Sequence, residues 1–335
     1  MRVFDFTPRD CSADLAKFGF VHWRGGVTSE FLAYATRFTY DRLAAGADLE
    51  QWRIEGKKRQ LLFEFPGGSK TIEEVRAVVA QLAGWRVRDV TLSERHVKVY
   101  DDDAPSRPAP HKDRAASRLA LGLPLHMPTD SYVALYPNAD STPNPFTSSA
   151  AWRSSLDDDA LPERTVADVA PVTIDVRVGD LLLFRGSSLY HERVNAGGAR
   201  VLYLKFNDFG IDPAGEDPRT GERRETTLAL LSARADPSLL ALDLMVAPRL
   251  ERVSCHRAAP DWHPVRQVSV SGSREFTIGE LEWALLREVG KRVNLGDALA
   301  RVGVAAAEHQ GLLPRVRRLA KLGAIDFFSK EERDC

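Results

Sequence analysis

Residues 178–206 read VGDLLLFRGSSLYHERVNAGGARVLYLKF, and this stretch decides the fold. The run Leu181, Leu182, Leu183, Phe184 reads as a short strand. Gly179 and Asp180 before it, and Arg185 to Ser188 after it, are turn residues. His191 comes next. A second turn holds Gly197 and Gly198, and a second strand opens at Arg200 and runs to Phe206. Two strands joined through a polar, glycine-bearing connection suggest antiparallel β-structure.

Working outward, short strand-like runs recur: HVKVYD (96–101), SRLALGLPL (117–125), SYVALYPN (131–138) and RVLYLKFND (200–208). Pro, Gly, Asp and Ser punctuate them. Such a series points to a β-sandwich or a jelly-roll barrel. Helices are expected before it. Phe18, Phe20 and Val21 read as a strand, Gly25 and Gly26 as a turn, and Thr28 or Ser29 as a helix cap. In a second helix, over 71–82, Ile72, Val75, Val78, Val79 and Leu82 form one stripe. Glu73, Glu74 and Arg76 are expected to point away from it. Residues 138–171 are rich in Ser, Thr, Pro and Asp, and are expected to be a functional lid or partly disordered.

After Asn207 the alternation stops. Residues 210–224 read as a polar loop, 226–245 as helix and 266–271 as a short strand. Three amphipathic helices and a terminal strand complete the chain, an order that resembles a winged helix-turn-helix. The expected division is a β-domain over 1–210, a helical or loop connector over 211–270 and a winged-helix-like domain over 271–335. The fold class is thus mainly β with flanking helices, a jelly-roll core and a small helical C-terminal domain.

His111 and Asp113 stand two residues apart in PAPHKDRAASRLALGLPL, at the mouth of a strand. In extended chain, residues i and i+2 share a face. If His191 folds back onto them, two imidazoles and one carboxylate meet, a donor set that suits a non-haem Fe(II) centre with open positions. Lys112, Arg114, Arg118, Arg185 and Arg193 surround these positions in sequence. They are read as a solvated rim, with an anionic substrate as the second reading. Trp152 either covers substrate or anchors its loop.

HxD at His111–Asp113, then GDLLLF, then His191, then a basic residue on the next strand together resemble the iron(II)/2-oxoglutarate-dependent dioxygenase superfamily. The layout is nearest its prolyl-hydroxylase-like and phytanoyl-CoA-dioxygenase-like branches. The resemblance covers residues 18–207. It implies a double-stranded β-helix fold, with His111, Asp113 and His191 as iron ligands. It also implies that Arg200 grips the distal carboxylate of 2-oxoglutarate, that Tyr100 contributes to the co-substrate site, and that Asn207 reaches it. Arg193, nearer His191, is the alternative to Arg200. The implied reaction uses O₂ and 2-oxoglutarate to oxidise a small metabolite, an amino acid or a peptidyl side chain. The acid at position 113 favours hydroxylation over halogenation. A metal-dependent cupin-type isomerase and a non-enzymatic ligand-sensing regulator with a winged-helix output are the competing readings.

The bulk numbers exclude other classes. Of 335 residues, 44% are hydrophobic and 28% charged, and the formal net charge is -1. No global excess of positive charge suits nucleic acid. The basic residues near the C-terminus, Arg315, Arg317, Arg318 and Lys321, alternate with acidic ones upstream. The expected role of that domain is therefore homodimerisation or docking of a peptide or carrier protein. No apolar run is long enough to span a membrane, and the N-terminal MRVFDFTPRD lacks a signal-peptide core. Cys11, Cys255 and Cys335 are far apart, so a disulfide framework is not expected. A cytoplasmic enzyme is the expectation.

Overall fold

A computed structural model describes residues 1–6, 8, 12–45, 58–256, 265–270 and 275–329. Cys11, His263 and Cys335 lie outside them. The chain divides into two compact units, Met1–Gly210 and Ile211–Cys335.

The first unit runs α1 (Ser12–Phe18), β1 (Phe20–Trp23), α2 (Ser29–Ala44), β2 (Lys58–Leu62), α3 (Ser69–Ala83), β3 (Thr91–Tyr100), β4 (Leu119–His126), β5 (Tyr132–Leu135), α4 (Ser149–Arg153), α5 (Pro162–Thr165), β6 (Val172–Ile174), β7 (Leu181–Phe184), β8 (His191–Val194) and β9 (Arg200–Asn207). Six strands form one antiparallel sheet in the order β1-β7-β4-β9-β3-β2, and three form another in the order β6-β5-β8. These two antiparallel sheets are consistent with a jelly-roll core.

Strand parity explains the packing. Leu181 and Leu183 of β7, Leu119, Leu121 and Leu123 of β4, and Leu202, Leu204 and Phe206 of β9 join the cluster that also holds Phe31 of α2 and Ile72, Val75 and Val79 of α3. The residues between them turn the other way. Leu182, Phe184 and Ala120 meet Val133 and Leu135 of β5. The six-stranded sheet therefore has helices on one face and the smaller sheet on the other. This is why LLLF is apolar without a break.

The polar turn residues also have structural work. Asp180 accepts from the Gly25 and Arg177 amides at 2.9 Å and lies 3.1 Å from His22 Nε2, tying the start of β7 to the β1 turn. Thr28 caps α2 by accepting from the Phe31 amide.

Several expectations change. Arg76 does not point to solvent. It is 1% exposed and pairs with Glu73. The segment 138–171 is partly helical. It contains α4 and α5, and Trp152 packs against Tyr190 with ring centroids 5.6 Å apart, which anchors the segment to the core. Lys112 and Arg193 are buried rather than solvated. The strand β8, HERV, has no apolar alternation, yet all four of its residues are buried.

The second unit holds α6 (Pro218–Ala233), α7 (Asp236–Leu239), β10 (Asp243–Val246), β11 (Leu250–His256), β12 (Val265–Val270), β13 (Phe276–Ile278), α8 (Glu280–Glu288), β14 (Val293–Asn294), α9 (Leu295–Arg301), α10 (His309–Lys321) and β15 (Ile325–Phe328). The expected helix over 226–245 ends early and gives way to β10. The expected connector, 211–270, does not stand apart from residues 271–335. Its β10 pairs with both β14 and β15, and the α6 residue Thr227 donates to Asp326 of β15 at 3.2 Å. No helix among the described residues is long and apolar enough to cross a membrane.

Candidate metal centre

The site is assembled by main-chain pairing before any side chain acts. The His111 amide donates to the His191 carbonyl, and the His191 amide to the His111 carbonyl, both at 3.0 Å. The segment carrying HxD is thereby laid antiparallel against β8. The two imidazole centroids come to 4.4 Å. The Asp113 amide donates to the Gly186 carbonyl at 2.8 Å, which brings the carboxylate under the same turn. One donor atom from each of His111, Asp113 and His191 lies within 4.8 Å of the others.

The ring of His191 has a defined tautomer. Its Nδ1 is 2.9 Å from the Leu189 carbonyl oxygen, which only accepts. Nδ1 therefore carries the proton, and the Nε2 lone pair faces inward, 3.9 Å from Asp113 Oδ2. Burial pushes the His191 imidazole down, with Asp113 opposing it, which favours the neutral form that binds metals.

Asp113 uses its two oxygens differently. Oδ1 accepts from Lys205 Nζ at 2.8 Å. Oδ2 is buried and has no hydrogen-bond partner among the described residues. Burial alone would raise the Asp113 carboxyl, but the Lys205 ammonium holds it well below the usual range. A bare, ionised oxygen in a buried place is costly unless a cation meets it. Two nitrogen donors and one such oxygen fit a divalent transition metal with open positions. Gly186 makes the arrangement feasible, because a Cβ there would lie 2.6 Å from Asp113 Oδ2 and 2.8 Å from the Ser117 carbonyl oxygen.

The three residues open onto a pocket with about 80 Å³ of room for water-sized occupants. Tyr100 lines it. So do Lys98, Tyr203 and Lys205, three residues not expected there, and Arg193, the alternative to Arg200. Arg193 is 7% exposed. Its Nε and Nη2 donate to the Tyr203 hydroxyl at 3.2 and 3.1 Å. No carboxylate pairs with it among the described residues.

Arg200 is not brought to the site. It shares strand parity with Leu202, Leu204 and Phe206 and so lies on the helix side of the sheet, its guanidinium 4.4 Å from the centroid of the Tyr40 ring in α2. Asn207 is also elsewhere, donating to the Ala116 carbonyl at 3.0 Å. The signal for Lys205 and Tyr203 was present in the sequence: they occupy the alternate positions of the same strand.

No family model matches the chain, and no curated protein matches it. Solved structures do. One is the non-haem α-ketoglutarate-dependent epimerase SnoN from nogalamycin biosynthesis, 18% identical over 60% of this chain and 83% of that one, with a TM-score of 0.45. Another is the carbocyclase SnoK from the same biosynthesis, 16% identical over 61% and 85%, with a TM-score of 0.47. A third is a Pseudomonas putida prolyl-4-hydroxylase, 16% identical over 60% and 97%, with a TM-score of 0.40. Similarity at this level leaves the chemistry to be argued from the chain's own side chains.

Proposed function

We propose that this chain is an Fe(II)- and 2-oxoglutarate-dependent oxygenase that oxidises a small organic molecule or a peptidyl side chain, with hydroxylation as the reaction. The observation that carries this is the coincidence, in one pocket, of Asp113 Oδ2, bare between two imidazoles, and the Arg193 guanidinium, which has no carboxylate partner among the described residues. His111, Asp113 and His191 would hold the metal. When bound with 2-oxoglutarate and O₂, it supplies oxidising power for an unactivated C–H bond, with loss of CO₂ from the keto-acid.

The chain's own contribution is orientation. Arg193 would take the distal carboxylate of the co-substrate, since a guanidinium offers paired donors and stays charged. Tyr100 and Tyr203 would hold that guanidinium and offer hydroxyls beside it. Phe184, whose ring centroid is 4.6 Å from that of His191, excludes water from one side. A metal-dependent isomerase would give Arg193 no anion to meet. A DNA-reading output is poorly served by α10, where Arg317 pairs with Asp236 at 2.5 Å and Arg315 approaches Glu282 at 3.7 Å. For the C-terminal unit we propose a winged-helix-like fold and docking of a partner or a second copy.

The test is an anaerobic titration with Fe(II) and then 2-oxoglutarate. The expected result is a weak visible charge-transfer band that saturates with the keto-acid. No band and no keto-acid consumption in air would remove the proposal.

A further inference from the structure

Asp113 is one end of a chain of buried charges that a metal site does not in itself require. Lys205 Nζ lies 2.8 Å from Asp113 Oδ1 and 3.4 Å from Glu94 Oε2. Lys98 Nζ lies 3.1 Å from Glu94 Oε1, and Arg114 Nη2 3.8 Å from Glu94 Oε2. Lys205 and Glu94 sit opposite each other across β9 and β3, beside a register shift between Leu92 and Glu94. Lys98, Glu94, Lys205 and Asp113 are all under 10% exposed. Burying four charges is expensive, and a stable core does not need them.

We infer that Lys205 is a positioning residue that occupies Asp113 Oδ1, so that Asp113 offers a metal Oδ2 alone. This inference rests on the proposed metal site. An Asp113 held by one oxygen leaves a further coordination position for other ligands. A carboxylate free to turn would present both oxygens or neither. The lysine also sets the direction of Oδ2, because it pins the other end of the carboxylate, while Gly186 leaves room for Oδ2 where a Cβ would lie 2.6 Å from it. Partners of metal ligands commonly change metal affinity by about 10–100-fold when removed.

The test compares Lys205→Met with Glu94→Gln in the full chain, using Mn(II) as the probe and reading bound metal by electron paramagnetic resonance. Both substitutions break the buried chain of charges and both should lower the melting temperature of the metal-free protein. Only Lys205→Met touches Asp113. Mn(II) binding should weaken about tenfold or more in Lys205→Met and stay within about twofold of the parent in Glu94→Gln. Where Lys205→Met does not fold, Lys205→Gln carries the same comparison, since it shortens the reach and removes the charge while remaining polar. Unchanged Mn(II) affinity in the Lys205 variant, or equal weakening in both variants, overturns the positioning role. A parent protein that binds no Mn(II) overturns both this inference and the metal-site reading beneath it.

Discussion

Lys112 and Asp140 are joined by an ion pair at 2.7 Å that ties the residue between His111 and Asp113 to the long segment after β5. Lys112 is fully buried, with Tyr190 and Trp152 ring centroids 4.3 and 5.1 Å from its ammonium, which also donates to the Thr142 carbonyl at 2.8 Å. Asn144 donates to the Asp113 carbonyl at 2.9 Å and Ser149 to the Lys112 carbonyl at 2.6 Å. The HxD segment is thus supported from both sides, by β8 and by residues 138–171.

Lys112→Met should therefore loosen that support. The expected cost is about 1.5–3 kcal/mol, the scale of hydrogen bonds made by a charged group. Hydrogen exchange should accelerate within 138–171 before the six-stranded sheet opens. Loss of stability with unchanged exchange in that segment would contradict this.

Gly186→Ala should damage the site more than the fold. The new Cβ would meet Asp113 Oδ2 and the Ser117 carbonyl oxygen, and the second is backbone that cannot swing aside. Metal affinity should fall about tenfold or more, on the scale of a misplaced ligand partner. Equilibrium dialysis against Mn(II) reads the effect directly.

Arg193→Met and Arg200→Met should separate cleanly. The first removes a cation inside the pocket and should raise the 2-oxoglutarate requirement about 10- to 150-fold, equivalent to roughly 1.5–3 kcal/mol of charged hydrogen bonding. The second trims a side chain on the Tyr40 face and should leave that requirement unchanged. Saturation curves for keto-acid consumption distinguish them, and the reverse pattern would return the role to Arg200.

The buried charges predict an acid limb of stability. Burial would raise the Glu94 carboxyl, but Lys205 and Lys98, with His96 and Arg114, hold it well below its ordinary value of about 4.3. A group depressed in the folded state stabilises fully above its unfolded value and loses that contribution as pH falls below it. Stability should therefore drop as pH falls from about 4.5. Glu94→Gln should lose about 3–5 kcal/mol at neutral pH, the cost of breaking a buried pair, and should show a shallower acid limb. Urea midpoints from pH 3 to pH 7 check both.

The β-architecture and the meeting of His111, Asp113 and His191 were legible in the order of residues. Strands such as 181–184 and 200–206 declare themselves through apolar positions, because burial of one or both faces imposes a period of two or an unbroken run. HxD is legible for the same reason, since extended chain places both side chains together. Strand parity also excludes Arg200 from the pocket once Leu202, Leu204 and Phe206 are read as one face.

Other features arise only when distant strands meet. The strand HERV has a single apolar residue, Val194 at its end, so no hydrophobic alternation marks it. It is buried because its polar side chains find partners from elsewhere in the chain: His191 beside Asp113, Glu192 receiving Tyr136 and Arg107, and Arg193 against Tyr203. Likewise nothing local pairs Lys205 with Glu94 and Asp113, 111 and 92 positions away. That contact depends on which strands become neighbours and in what register, and charges can go into the interior only where that register supplies their counter-charges.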